Sequence, residues 1–163
     1  RILPYNRVVT DLNGLSVAEF LQKAGETFLI EPAGSTPPEV SEHTIGMYLD
    51  GRWYLLTPRP GIWNPADALE NLDVNILMNN ILGPLLAIGD PRTDQRIDFI
   101  GGIRGPEELV RLVDSGKFRV AFLMHPTSIE QLIAVADAGL IMPPKSTWFE
   151  PKLRSGLVIH LLD

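Results

Sequence analysis

The run Met142-Pro143-Pro144-Lys145-Ser146-Thr147-Trp148-Phe149-Glu150-Pro151-Lys152-Leu153-Arg154-Ser155-Gly156 gathers residue types that bind anions. Lys145, Lys152 and Arg154 oppose one carboxylate, Glu150, so the run carries a local charge of +2 (3 − 1) in a chain of formal net charge −6. Lysine supplies a point charge and arginine a two-pronged donor, and both suit phosphate or carboxylate oxygens. Ser146 and Thr147 add hydroxyls as hydrogen-bond partners. Pro143, Pro144 and Pro151 stiffen the backbone, and stiffness lowers the entropy lost on binding. Two readings stay open for this run. One is an anion- or substrate-binding loop. The other is a rigid loop laid over a sheet, with its aromatics in the core.

A second candidate is Gly101-Gly102-Ile103-Arg104-Gly105-Pro106, between a strand at Ile97–Ile100 and a helix at Glu107–Asp114. Glycines let backbone donors approach a ligand, a helix N-terminus attracts anions, and Arg104 adds charge. The spacing is neither that of a P-loop nor that of a dinucleotide fingerprint. Glu107 and Glu108 also answer the helix dipole themselves, so a tight structural turn competes with a phosphate site. Asp94, Arg96 and Asp98 are secondary candidates, with Asp90 and Arg92 beside them. The alternating signs read as a salt-bridged loop rather than an acidic ligand set. His43, His125 and His160 have no companions at metal-ligand spacing, so no metal is assigned. His125 ends a strand just before a helix cap, where functional residues often sit. His160 reads as a hydrogen-bonded core residue. No catalytic residue is identified, and no Gly-x-Ser-x-Gly elbow is present.

Several elements must position these groups. Leu3–Val9 reads as a strand with Pro4 near its start. Ser16-Val17-Ala18-Glu19 is a capping box opening an apolar-faced helix. Phe28–Glu31 reads as a short strand and Pro32–Glu39 as a loop. His43–Leu49 and Arg52–Thr57 flank Asp50-Gly51, which suits a type I′ hairpin. A helix is expected from Pro65 or Ala66 to about Asn80, and a short one over Pro84–Ile88. Ile97–Gly116 aligns with Val120–Gly139 at an offset of 23 residues, with five identities in twenty positions. Chance together with shared secondary structure, rather than duplication, is the reading taken for those five. Each copy reads strand, turn, helix, C-cap glycine, and the second has a capping box at Thr127-Ser128-Ile129-Glu130. Two successive β-α units predict a crossover between neighbouring strands. Leu157–Leu162 reads as a last, centrally buried strand. The expected fold is α+β, a mixed α/β layer of about four helices and six strands.

Composition narrows the function classes. The 163 residues hold no cysteine, which excludes thiol catalysis, disulfides and thiolate metal sites. The net negative charge argues against nucleic acid as a partner. A hydrophobic content of 45% supports one core and a single domain over 1–163. The most apolar stretch, Leu72–Ile88, is broken by Asn75, Asn79, Asn80 and Gly83-Pro84, so no membrane span is expected. The opening segment Arg1–Thr10 reads as the middle of a folded domain, and a cytoplasmic fragment is expected.

Leu3–Gly14, Asp90–Gly105 and Met142–Gly156 together resemble the C-terminal half of a bacterial family, the domain of unknown function 1015. The resemblance covers nearly the whole chain and is most specific in the Met142–Gly156 run. It implies an N-terminal half before this region, carrying an Asp-Gly-His-His-Arg motif. That motif resembles those of nucleotide-handling ParB and sulfiredoxin-like folds, some of which phosphorylate free serine. This chain contains no such motif. The resemblance therefore implies a C-terminal domain of a larger enzyme, with a nucleotide as cofactor of the whole. It carries over Lys145, Ser146, Thr147, Lys152 and Arg154, with Asp94, Arg96, Asp98 and Arg104. Two functions follow as expectations. One is a phosphotransferase part that holds a phosphorylated small molecule or nucleotide and acts on an amino acid such as serine. The other is a non-catalytic module that packs on its N-terminal half or forms a homodimer, with exposed apolar surface as its mark.

Overall fold

The computed structural model describes residues 1–151. Lys152, Arg154, His160 and the expected strand Leu157–Leu162 lie outside the described residues. The fold is α+β, with four α-helices and eight strands in two antiparallel sheets among the described residues. The larger sheet holds β2 (Tyr5–Val9), β3 (Phe28–Gly34), β4 (Ile45–Leu49), β5 (Arg52–Pro58), β6 (Ile97–Gly101) and β7 (Val120–Leu123), in the order β3-β5-β4-β7-β2-β6. The smaller sheet pairs β1 (Ile2–Leu3) with β8 (Trp148–Phe149). The expected strand Leu3–Val9 is thus two strands. Pro4 has no amide donor, so the ladder breaks there and the chain changes sheets.

The Asp50-Gly51 hairpin forms as expected. Both residues have positive φ (52° and 79°), and the strands pair from Leu49↔Arg52 to Ile45↔Leu56. β3 runs to Gly34, three residues past its expected end, through a bulge at Pro32/Gly34. β6 and β7 are not neighbours, contrary to the crossover expected from the β-α repeat. Both pair antiparallel with β2, which lies between them. They are parallel to one another one strand apart, and β2 arrives from far earlier in the chain.

One sheet face buries Val9, Phe28, Met47, Leu56 and Phe122 under α1 (Val17–Ala24) and the segment 72–88. The opposite face buries Val8, Tyr48, Trp53, Ile100 and Ala121 under Leu109, Leu112 and Val113 of α3 (Gly105–Asp114). Gly116 and Gly139 follow α3 and α4 (Ile129–Asp137) at positive φ, as C-cap glycines do. Ser16 and Glu19 form the expected capping box. The second box is shifted by one residue: Ser128 caps and Gln131 reciprocates, while Thr127 bonds elsewhere.

The helix expected over 65–80 is mostly absent. α2 spans only Asp73–Leu77 and continues as a π-helix over Met78–Leu82. Local side-chain bonds supply the reason. Asn64 accepts from the amide of Ala66 at 3.0 Å, and Asp67 accepts from those of Leu69 and Glu70 at 2.9 and 3.0 Å. Such bonds offer the backbone turns in place of helix. Asn80 donates to the Ile76 carbonyl at 2.8 Å, which favours the wider turn. Residues 83–86 are turns, so the short helix at Pro84–Ile88 does not form.

Candidate functional site

Lys145 stands at the tip of the loop between α4 and β8, with φ +57°. Its carbonyl accepts from Nη2 of Arg7 at 2.9 Å. Its exposed ammonium lies 5.3 Å from the centre of the Tyr5 ring, within cation–π range. Backbone and side chain are therefore held by two residues of β2. Ser146 turns inward instead. It is buried, its hydroxyl donates to the Pro143 carbonyl, and its own carbonyl accepts from Thr127 at 3.2 Å. Its hydroxyl shapes the loop. Thr147 is half-buried between Ser146 and β8.

The two sequence candidates meet at Trp148. The Trp148 ring lies 5.2 Å from that of Tyr5, and its indole N–H donates to Glu150 at 3.1 Å. A Cβ on Gly101 would stand 2.7 Å from the Trp148 ring, and one on Gly102 would stand 2.6 Å from Pro4. Both glycines are present because other groups occupy that space. The Gly102 amide donates to the Pro4 carbonyl at 2.8 Å, so it is already used. The glycine turn is a packing device here. Arg104 is exposed and lies 3.4 Å from Glu108, whose carboxylate Arg111 grips with two bonds of 2.8 Å. Those bonds hold the Glu108 carboxyl below its usual range. A cleft of about 250 Å³ is lined by Asp98, Phe99, Gly101, Arg104 and Trp148. It faces both motifs.

Of the other candidates Asp98 lines this cleft, and the rest lie elsewhere. Arg96 reaches Asp94 at 3.3 Å, Asp11 at 3.2 Å and the Ala87 carbonyl at 2.9 Å, so it ties the 87–94 loop to the end of β2. The Asp11 carboxyl is held low, chiefly by the Asn13 amide and also by Arg96. Asp90 pairs with Arg92 at 2.8 Å. Asp98 accepts from the Phe99 amide at 2.8 Å. His125 is half-buried, with Nδ1 3.3 Å from the Val40 carbonyl.

Sequence reasoning missed two buried charges. Arg7 sits in mid-strand among apolar neighbours, a pattern break that was visible in Asn6-Arg7-Val8-Val9. Asp73 accepts from the His43 amide with both oxygens, at 3.0 and 3.2 Å. Burial pushes its carboxyl up to about 6, against the opposing pull of His43.

Comparison with known proteins adds a match to a family over part of the chain and a likeness of fold. Residues 1–75 match the family Protein of unknown function (DUF1015). This is the family that the sequence motifs resemble. The DUF1015 match includes Leu3–Gly14, and with it Tyr5 and Arg7. Two solved structures align over 91% of this chain and 53% of their own, both mutants of a free serine kinase in complex with AMP. Their identities are 10% and 9%, with TM-scores of 0.50 and 0.49. The first of these likenesses shows a shared fold. The chain spans about half the length of these structures. No curated protein matches it. Among the described residues, no helix is long and apolar enough to cross a membrane.

Proposed function

We propose that this domain forms one wall of a site for the phosphoryl group of a phosphorylated small molecule or nucleotide. The whole protein would be a cytoplasmic phosphotransferase acting on an amino acid such as serine. The observation that carries this reading is the setting of Lys145: an exposed ammonium above Tyr5, with its backbone fixed by Arg7. A preset cation stabilises charge on a transferring phosphoryl group without reorganising. Trp148 and Arg104 line the adjacent cleft and offer an aromatic face and a second cation. Lys152 and Arg154 join the reading through their shared motif. At about 250 Å³ the cleft is smaller than the roughly 300–1,000 Å³ of usual ligand pockets. It fits the phosphate end of a nucleotide, and the rest would lie against the other half of the protein. Likeness to a kinase bound to AMP supports the class of ligand only as analogy of fold.

The test is phosphotransfer from ATP or ADP to serine and related amino acids, measured with the full-length protein. Lys145→Ala is expected to lower the rate roughly 10²–10³-fold, as the loss of one preset donor does elsewhere. An unchanged rate removes the loop from the reaction.

A second reading is a non-catalytic module that packs on the N-terminal half. Ile129 and Ile133 of α4, with Leu140 and Ile141 beyond it, favour this reading, because all four are exposed. Exposed apolar side chains such as these are what a partner covers.

A further inference from the structure

Arg7 is the only buried arginine or lysine among the described residues, at 4% exposure. It lies in the middle of β2, opposite Phe99 on one side and Phe122 on the other. Cross-strand partners share a face, so its side chain enters the apolar side of the sheet. The guanidinium carbon is 5.3 Å from the centre of the Phe99 ring. Nη1 donates to the Tyr5 carbonyl and Nη2 to the Lys145 carbonyl. Both acceptors are neutral. A guanidinium has five N–H donors, so three remain beyond those two bonds. Burial brings its pKa down to about 9, and no carboxylate among the described residues raises it again. The group is still charged at neutral pH, and a buried charge without an opposite one is expensive to keep.

A cavity of about 40 Å³ adjoins it, lined by Arg7, Asn75, Met78, Phe99, Pro143 and Pro144 among others. Among the described residues, Arg7 and Asn75 are its only polar lining. The Asn75 amide already donates to the Leu69 carbonyl at 2.8 Å, which leaves its oxygen and one N–H. Such a volume admits one or two waters or a carboxylate head, and it is far too small for a nucleotide. Apolar walls around one guanidinium would strengthen an ion pair made there, because apolar surroundings screen charge less than bulk water does.

We propose that Arg7 and this cavity receive one carboxylate of a small aliphatic acid, α-amino acids included. The inference goes beyond the phosphoryl reading and concerns a different cavity from the cleft beside Trp148. The free edge of the guanidinium makes two parallel N–H···O bonds to the carboxylate, the arrangement arginine is shaped for. Because Arg7 also holds the Lys145 carbonyl, a bound carboxylate steadies the loop that carries Lys145.

The test is thermal unfolding of the chain at fixed ionic strength, titrated with acetate, L-serine, acetamide and inorganic phosphate. Acetate and serine are expected to raise Tm by several degrees at saturating concentration, since a ligand of the folded state stabilises it by mass action. Acetamide, the neutral isostere, is expected to do nothing. Arg7→Met removes the carboxylate response, and Lys145→Ala keeps it. Arg7→Lys retains charge but loses the fork, so it weakens the carboxylate at least tenfold; it serves where Arg7→Met does not fold. The proposal is overturned if no carboxylate shifts the wild-type Tm, or if the Arg7 variants respond like wild type. A shift seen only with phosphate and abolished by Lys145→Ala overturns it too, while supporting the phosphoryl site. A carboxylate response abolished in the Arg7 variants, in a full-length protein that shows no phosphotransfer, supports this proposal and counts against the phosphoryl site.

Discussion

Asp73 shows what one buried carboxyl does to the molecule. Its oxygens take the His43 amide, and that bond holds His43 at φ +64°, a conformation few side chains adopt. The His43 ring in turn lies 5.2 Å from that of Trp63, with Nε2 3.1 Å from the Asn71 carbonyl. The folded-state value of about 6 lies above the ordinary 3.8. Between those limits the folded protein holds more protons than the unfolded chain, so this group favours folding at low pH. Its contribution is present below about pH 4 and lost as pH rises through about 6. The difference of about two pKa units corresponds to about 3 kcal/mol. Asp73→Asn is expected to remove this downward slope between pH 4 and 6 and to leave the variant more stable than wild type at pH 7. Urea unfolding across that range measures it. Equal slopes in both proteins would exclude Asp73 as the source. The depressed carboxyls of Asp11, Asp90 and Glu108 act in the opposite sense and at lower pH.

Elements explain why the glycine turn needs its glycines. Gly102 is in place because Pro4 occupies the volume of its missing Cβ, and its amide bonds the Pro4 carbonyl. Gly102→Ala would force the turn from Pro4 and loosen the seam between the two sheets. A destabilisation of about 1–3 kcal/mol is expected, the usual cost of overpacking. Chemical denaturation checks it, and a loss below about 0.5 kcal/mol would show that the seam yields freely. The same contrast marks what the sequence made legible. Asp50-Gly51, the Ser16 box and the helix-ending glycines 116 and 139 act through neighbours in the chain, so spacing revealed them. The place of β2 between β6 and β7 depends on a strand some ninety residues earlier, and no local pattern carries that. The missing helix at 65–72 was local, but its signal lay in Asn64 and Asp67 side chains that outcompeted apolar periodicity. At the site, Lys145 was legible from its proline-rich run. Its hold on Arg7 was not, because the two are 138 positions apart.

For the molecule as a whole, the two faces of the large sheet are unequal, and the imbalance bears on partners. One face lies under α1 and the 72–88 segment and the other under α3, while α4 buries only Val135. Ile129 is 60% exposed, Ile133 52% and Ile141 87%. Isolated exposed apolar residues are ordinary, but several together mark a contact surface. If the N-terminal half covers this surface, Ile133→Glu separates stability from association. Ile133 makes little of its burial within this domain, so the substitution should change unfolding stability by no more than about 0.5 kcal/mol. A carboxylate placed in an apolar contact must be desolvated there, so affinity for the separately expressed N-terminal half is expected to fall at least tenfold. Sizing and titration calorimetry on both proteins read the two effects. A wild-type domain that stays monomeric and ignores the N-terminal half counts against the module reading. Loss of self-association in the variant, without any binding to that half, would assign the surface to a homodimer instead. A large drop in stability would place Ile133 in this domain's own core and remove the surface from consideration.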